Sequence, residues 1–556
     1  MVMYAYEPVG YDGELVTVEV DLRRGIPNMD IVGLPDGAVK ESRERIRAAI
    51  RNGGFDFPLE RLLISLAPAA VRKAGASFDL SMALAVLVAS GQVPDFGMPV
   101  MALGELELSG RVRPVTGVLP AVSAGLRAGL RCFIVPKANL REAMVLAPGL
   151  SWALESLEGS ARLAAAIRGA APADEFLDDH EYHGHSHPSG LEYGSSRGNE
   201  AVRDNSLACG NLTCGNGLAS VDPPSPARFF QSPVEDLRDI RGQPQLRRAL
   251  EVAAAGGHHL LLFGPPGSGK TMAARRLPGI LPDLDDADAV AVTTLHSLSG
   301  ILPEASGLLR RPPFRTPHHG ASAEGIIGGG HSRKPGEISL AHAGVLFLDE
   351  TPEFRADVLQ AMREPIENGW ISIARADRTV SYPARFMLVL ACNPCPCGNL
   401  GRPSGVCLCS ADEIRRYWKK LGGPMLDRMD LRLPVMQAAP TDLSGPVGED
   451  SATVRIRVTK ARNAQLVRYR DEAVKSNGRL SPALTELYCA LEAPLGSFLI
   501  EVAERTFLSS RAYHSVLKVA RTIADLDDAG PVRLDHLQEA IALRRYGEED
   551  QFWMVP

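Results

Sequence analysis

No apolar run in this sequence approaches the ~18–20 residues needed to cross a bilayer, which excludes a helical membrane span. The opening stretch, Met1-Val-Met-Tyr-Ala-Tyr-Glu-Pro8, lacks the basic-then-apolar plan of a secretory leader, so a cytoplasmic protein is expected. In that compartment the nine cysteines read as thiols or metal ligands rather than disulfides. Aromatic residues are sparse at 6%, and no internal repeat is found. Also missing is an excess of positive charge. Lys and Arg number 60 against 66 Asp and Glu, a net charge of −6, which taken whole argues against a strongly basic nucleic-acid protein. The imbalance is local, however. Residues 171–230 hold nine acids and three bases, so the remaining chain is balanced at 57 of each.

With 556 residues the chain is too long for one core and should hold about three domains. Residues 1–170 read as α/β. Val16, Val18, Val20 and Leu22 alternate with polar residues as in a half-buried strand, 36–51 looks helical, and Ser77–Ser90 is a short apolar helix. Residues 171–232 change character to an acidic, His/Gly/Ser-rich stretch ending in Pro223-Pro-Ser-Pro226, with too few apolar side chains to offset ordering entropy. A flexible linker is expected there. Strand–helix alternation resumes over 233–440, a second loose stretch covers 441–455, and 456–556 has helical periodicity without a convincing strand.

The strongest local signal is an apolar strand running into Gly264-Pro265-Pro266-Gly267-Ser268-Gly269-Lys270-Thr271 and then a helix. Strand, GxxxxGK[ST] and helix in that order form a phosphate loop, whose backbone N–H groups close around phosphates at a helix N-terminus. Lys270 is expected to reach the β- and γ-phosphates of ATP and Thr271 to ligate Mg²⁺. Val345-Leu-Phe-Leu-Asp349-Glu350 supplies a second buried strand ending in two acids. Asp349 would hold the Mg²⁺ shell and Glu350 would polarise the attacking water. Val389-Leu-Ala-Cys-Asn393 reads as a third strand ending in a neutral amide able to orient that water.

At these residues the sequence resembles the AAA+ ATPases. The resemblance implies that Asn393 is the first sensor. It implies that Arg428, in Leu426-Asp-Arg428-Met-Asp430, is an arginine finger acting on a neighbouring subunit. It also implies that Arg511 is a second sensor reaching the γ-phosphate from a helical lid. Gly242-Gln243, Ala253-Ala-Ala-Gly-Gly-His258, Arg315-Thr-Pro-His-His319, Lys334-Pro-Gly-Glu-Ile-Ser-Leu-Ala-His342 and Asn393-Pro-Cys-Pro-Cys-Gly398 are together similar to the magnesium-chelatase-like subgroup. More narrowly they resemble the ComM/YifB competence-related proteins of bacteria, as do Val32-Gly-Leu-Pro-Asp36 and Leu66-Ala-Pro-Ala69. The match covers nearly the whole chain except 171–228. It implies a hexameric ATP-driven ring that moves DNA in branch migration during recombination or natural transformation, with recombination proteins as further partners and no membrane.

The first domain resembles the Lon protease fold. Lys73-Ala-Gly-Ala-Ser77 falls where Lon-type proteases carry their serine nucleophile, and Leu119 aligns with the partner lysine. Leucine cannot take a hydroxyl proton, so Ser77 is expected to cap the following helix instead. The domain then reads as a DNA-binding or assembly module, with Arg43, Arg45, Arg47 and Arg51 either its basic helix or a solvated face balanced by Glu41 and Glu44.

Cys395-Pro-Cys397 and Cys407-Leu-Cys409 place four thiols in fifteen residues around Gly398, Gly401 and Gly405. Structural Zn²⁺ takes four such ligands; reduced thiols in a tight loop, or an iron–sulfur cluster, are the alternatives. For DNA, Arg315, Arg333 and Lys334 lie in a basic stretch with His318, His319 and Gly328-Gly-Gly330. Arg375 and Arg378 sit at the tip of a hairpin over 369–382. Cations on moving loops suit sequence-independent phosphate contact.

The expected architecture is therefore an α/β protein in three parts. They are a Lon-protease-like N-terminal domain lacking the catalytic dyad, a P-loop AAA+ parallel-sheet core with a cysteine insertion at 395–409, and a C-terminal helical lid. The expected activity is ATP hydrolysis driving motion on DNA. Its rivals are a chelatase-type motor that remodels a protein partner for metal insertion, and an ATP-dependent protease.

Overall fold

Alternating apolar residues put one face of each N-terminal strand into a core. Val16 and Val18 are 0% and 1% exposed while Glu19 between the next pair faces out. The computed structural model describes residues 2–170, 176, 235–303, 307–330, 334–374, 379–402, 405–438, 441 and 447–544. The first sheet is built from β1 (Met3–Val9), β2 (Asp12–Arg23), β3 (Asn28–Val32), β4 (Arg61–Ala67), β5 (Val100–Ala102), β6 (Phe133–Val135) and β7 (Ser151–Ala153). Their order is β3-β4-β2-β1-β5-β6-β7. β1–β2 and β2–β4 run antiparallel and the outer pairs run parallel. Helix α1 (Gly37–Asn52) starts where the Asp36 carboxylate accepts the Val39 N–H at 2.8 Å. Helix α2 (Asp79–Ala89) is buried nearly all round, and α3 (Val118–Arg127) follows Gly117.

The second sheet is the frame for the site. Strands β8 (Leu260–Phe263), β9 (Phe314–Arg315), β10 (Val345–Leu348), β13 (Met387–Cys392) and β14 (Leu431–Pro434) pair in the order β9-β10-β13-β8-β14, every pair parallel. Between β10 and β13 the chain makes an antiparallel hairpin, β11 (Trp370–Ala374) with β12 (Thr379–Pro383). Both sheet faces are covered, which is why the strands read as unbroken apolar runs. Leu260, Leu262, Phe347 and Val389 pack on one face with Leu250 and Ile523, and Leu261, Phe263, Leu346 and Leu390 pack on the other with Leu295 and Trp418. Helices α4 (Lys270–Ala274), α5 (Asp286–Ser299) and α6 (Ala411–Lys419) belong to this unit. The described C-terminal residues are helical, with α7 (Ser451–Arg468) and α8 (Ser510–Leu526) laid on the first face.

Two boundaries differ from the sequence reading. Helix α7 begins at Ser451 rather than 456, because Asp450 accepts the Thr453 N–H at 2.8 Å and starts it early. Ser77 is not the cap of α2. That place falls to Phe78, which makes no side-chain cap, while the Ser77 carbonyl accepts the Gly104 N–H at 3.2 Å. The acidic His-rich stretch lies outside the described residues apart from Phe176, so the linker expectation is not addressed there. No helix among the described residues is long and apolar enough to cross a membrane.

Among the described residues, the N-terminal unit meets the second unit at the β11–β12 hairpin and at α5. The Tyr11 N–H donates to the Ser381 carbonyl at 3.3 Å, and its ring meets Trp370 edge-on at 6.4 Å, which seats the β11–β12 hairpin. Elsewhere the buried Ser297 hydroxyl on α5 donates to Glu142, whose same oxygen accepts the Leu119 N–H at 2.8 Å.

Candidate functional site: a phosphate loop, an acid pair and two distant arginines

The phosphate loop leaves β8 and turns at Gly269, whose φ of +95° suits only glycine. Lys270 opens α4 and is 8% exposed. Its ammonium donates to the Gly264 carbonyl at 2.7 Å, the Pro265 carbonyl at 3.0 Å and Asn393 Oδ1 at 3.3 Å. Burial pulls the Lys270 pKa down from its ordinary value, and the nearby Cys392, Asp349 and Glu350 oppose that. The rest of the loop is tied at its carbonyls. Gln437 donates to Pro266 at 3.3 Å and Gln243 to Ser268 at 3.2 Å. Gly267 also has positive φ, +76°.

The acid pair follows β10. The Thr271 hydroxyl donates to Asp349 Oδ2 at 2.6 Å, joining the two oxygen groups that the sequence assigned to Mg²⁺. A hydroxyl beside a carboxylate is the hard-oxygen donor set that Mg²⁺ prefers. Glu350 turns the chain with φ +49°, and its own N–H donates to Asp349 Oδ1 at 2.9 Å. The two carboxylates therefore point apart, one to Thr271 and one outward. Asn393 stands one residue past β13, within reach of Lys270, so all the phosphate-loop, acid and Asn393 residues converge at the carboxyl ends of three adjacent parallel strands.

Two neighbours went unassigned in the sequence. His319 Nδ1 lies 3.5 Å from Glu350 Oε2, with its ring against Phe354. In sequence it looked like one more donor on a basic loop; only the pairing of β9 with β10 brings it to the acid. The second is Glu367. Arg428, 11% exposed at its side chain, ion-pairs with Glu367, and Arg511 Nη1 reaches the same carboxylate oxygen at 3.1 Å. Two guanidiniums hold Glu367 below its usual pKa although desolvation pushes the other way. Ser509 caps α8 and donates to Asp427 Oδ1 at 2.9 Å, which fixes Arg511 to the turn bearing Arg428. Arg511, expected as the second sensor, sits with Arg428, because α8 docks through Ser509 onto the Arg428 turn. No spacing rule relates Glu367 to either arginine, so nothing local could have signalled it.

The candidate DNA residues separate. Arg315 is half-buried in a two-pronged pair with Glu337, both contacts 2.6 Å, so its guanidinium is committed within the fold rather than presented to a ligand. Lys334 is exposed on a short antiparallel pair with Gly328–Gly329 and donates to the Ser299 carbonyl at 3.2 Å. Arg333, Arg375 and Arg378 lie outside the described residues. Among the α1 arginines, Arg45 turns inward to the buried Asp79 at 2.9 Å and Arg47 covers the Phe57 ring, leaving Arg43 and Arg51 on the exposed face.

The four cysteines come together: Cys395, Cys397, Cys407 and Cys409 place their sulfurs within 4.8 Å of one another, and none is in a disulfide. In the N-terminal unit the Leu119 side chain is fully buried, and Ser77 is half-buried. Lys73, at the start of the protease-like motif, is also fully buried.

A phosphate loop, an acid-ended strand and a polar-ended strand in a β9-β10-β13-β8-β14 parallel sheet define a P-loop ATPase of the magnesium-chelatase-like AAA+ class. The family model for "Magnesium chelatase, subunit ChlI" matches residues 236–443, that for "Subunit ChlI of Mg-chelatase" matches 18–139, and that for the "subunit ChlI C-terminal" matches 448–544. An uncharacterized protein of Mycobacterium tuberculosis (H37Rv) is 40% identical over 544 residues, 97% of both chains. The protein YifB of Escherichia coli (K12) is 38% identical over 98% of this chain and 96% of its own. The competence protein ComM of Haemophilus influenzae is 37% identical over 98% and 97%. Lon protease 2 of Thermus thermophilus is 34% identical over 141 residues, 24% of this chain and 17% of its own. The chain belongs to the ComM/YifB family and is an AAA+ ATPase of that type.

Proposed function

We propose that the protein is an ATP-driven ring motor acting on DNA, with branch migration as its work. The observation carrying the ring is the parking of Arg428 and Arg511 on Glu367. Arg428 and Arg511 are thus gathered on one carboxylate, from which a neighbouring subunit's phosphate loop, with its Asp349, Glu350 and Asn393, can receive both. In this reading Lys270 exchanges its carbonyl partners for β- and γ-phosphate oxygens. Thr271 and Asp349 hold Mg²⁺, which neutralises the phosphates, and Glu350 takes the proton of the attacking water while Asn393 orients it. Arg428 and Arg511 meet the developing charge from across the interface. A hexamer satisfies this arrangement in every subunit.

DNA as the track is supported by the full-length likeness to a competence protein and by the exposed Lys334. Arg333, Arg375 and Arg378 complete the proposed contacts, and recombination proteins are the proposed partners. Zn²⁺ is proposed for the four cysteines. The chelatase-type reading uses the same ATPase site with a protein as its target. Proteolysis has no support at position 119, where leucine stands.

ATP turnover measured with single-stranded, duplex, forked and four-way DNA decides. Branched DNA is expected to raise turnover severalfold at low salt, with the gain shrinking as salt rises because phosphate contacts release counterions. Turnover indifferent to every DNA at every salt overturns the reading and leaves a protein-remodelling motor.

A further inference from the structure

We propose that a metal ion held by Cys395, Cys397, Cys407 and Cys409 positions the phosphate loop, so that metal occupancy sets the affinity for ATP. The inference rests on the ATPase reading above and adds to it a second site that controls the first.

Zinc–sulfur bonds of about 2.3 Å in a tetrahedron place the sulfurs about 3.8 Å apart. Three of the six distances here are 3.4 Å for Cys395–Cys397, 3.6 Å for Cys395–Cys407 and 3.7 Å for Cys397–Cys407, and Cys409 lies within 4.8 Å of the other three. A disulfide would bring one pair to about 2.05 Å. Apolar burial explains only part of the convergence: Cys395 is fully buried, and Leu400, Cys407 and Cys409 pack against the same core. Cys397 is exposed, and Val406 and Leu408, which alternate with the second pair, are 76% and 88% exposed. Cys397, Val406 and Leu408 draw nothing from that core, and a shared cation supplies a cross-link that packing does not. The Leu400 N–H, pointing at Cys395 Sγ from 3.4 Å, is the kind of outer contact that holds a ligating thiolate. On binding, the thiols give their protons to solvent and bind as thiolates.

The cluster reaches the nucleotide site by two short routes. Asn393 lies two residues before Cys395 and accepts the Lys270 ammonium. Gly398, with φ +75°, lies so close to the phosphate loop that a Cβ there would sit 2.8 Å from Pro266 Cγ. On the other side, Ser410 follows Cys409 directly and starts α6 with a reciprocal cap to Glu413. Near the end of α6, Trp418 Nε1 donates to the Pro394 carbonyl at 3.0 Å, and its ring meets Phe263, the last residue before Gly264, at 5.8 Å. Loop, helix and strand thus close a circuit whose two ends are the cysteines and the phosphate loop.

The test uses the full-length protein. Elemental analysis is expected to find about one zinc per chain, and cobalt replacement to give thiolate-to-metal charge-transfer absorption that Cys407→Ser with Cys409→Ser abolishes. A fluorescent ATP analogue is then titrated into metal-loaded, chelator-stripped and zinc-restored protein. Stripping is expected to weaken binding by about tenfold, the lower range for losing a support of a site, and zinc to restore it. Gly398→Ala should keep the metal and still weaken the nucleotide, by pushing on Pro266. Less than a tenth of an equivalent of zinc with no cobalt spectrum overturns the metal site. Full zinc with equal nucleotide affinity before and after stripping overturns the coupling. Failure of the ATPase reading looks different: metal-loaded protein would bind no nucleotide at all.

Discussion

Two lysines of this chain are buried and direct their ammonium groups at carbonyl oxygens, one in each α/β unit, and they differ in what can replace those oxygens. Lys73 donates to the carbonyls of Gly33 at 2.9 Å, Leu66 at 3.0 Å and Pro68, with no exposed surface. Lys270 donates to Gly264, Pro265 and Asn393, but it borders a cluster of Thr271, Asp349 and Glu350 and keeps 8% of its surface. Lys73 holds together the strand ends that surround it. Lys270 is held in readiness by partners that an anion can displace. Lysine burial is therefore no sign of chemistry until the neighbourhood offers a second set of ligands.

Replacing each lysine should separate the two roles. Lys270→Ala is expected to lower ATP turnover by about 10²–10³-fold, the loss seen when one donor to developing charge is removed, with little change in unfolding midpoint. Lys73→Met leaves the buried Leu66 carbonyl and the part-buried Gly33 and Pro68 carbonyls without this donor, and at about 1–3 kcal/mol for a buried orphaned group the unfolding free energy should fall by a few kcal/mol. Turnover per folded molecule should stay near normal. Denaturant unfolding and steady-state ATPase rates on both variants check this. The comparison breaks if Lys73→Met abolishes turnover while leaving stability intact.

The sequence made Lys270 legible and left Lys73 obscure for a physical reason. The phosphate loop is local: strand, glycines, lysine, hydroxyl and helix lie within twelve residues, and their order dictates their geometry. The same holds for Asp349 and Glu350 at a strand end, and for the cysteine pairs. What escaped was set by contacts far apart in the chain. Glu367 meets Arg511 across 144 residues, His319 meets Glu350 through strand pairing, and Arg315 finds Glu337. Arg315 shows what charge alone leaves out, since this basic residue in a basic stretch is also half of a partly buried pair. The parallel α/β core could be read because strands buried on both faces must be apolar throughout; the docking of the lid that carries Arg511 to Arg428 could not.

Acid should also divide the two units, with a smaller effect. Residues 1–170 contain no histidine. The ATPase unit buries His259 and His342, whose pKa values burial pushes down to about 3, and His296, pushed down to about 4. His259 and His342 each accept a backbone N–H, from Leu388 at 2.9 Å and from Arg385 at 3.1 Å, so protonation would also forfeit those bonds. Unfolded, these rings take protons near pH 6.5; folded, they do not. Below 6.5 the unfolded state binds more protons, so stability falls with pH and goes on falling toward the folded pKa values. From pH 6.5 to 5.5 each ring should remove about 1 kcal/mol, about 3 kcal/mol for the three. In the N-terminal unit Asp79, raised by burial, has the opposite sign. Hydrogen exchange followed against pH should show the ATPase unit loosening first. Equal loosening of both units would mean that the histidines are not what acid reaches.

The smallest expected effect belongs to Ser77, and it sharpens the comparison by being nearly nothing. The residue stands where a protease would place its nucleophile, in the same motif as Lys73. Lys73, however, is engaged with carbonyls, and Leu119 fills its own position with a fully buried apolar side chain. A serine hydroxyl without a base to take its proton is no nucleophile, and the helix after it is capped without that hydroxyl. Ser77→Ala should therefore change stability by less than about 0.5 kcal/mol, as substitutions away from special features do, and leave casein uncleaved with or without ATP. Casein cleavage by the unaltered protein that disappears in Ser77→Ala would require some other group to act as the base, and would return the N-terminal unit to catalysis. Without it, the buried lysine of this motif serves the fold, bound to the carbonyls of Gly33, Leu66 and Pro68.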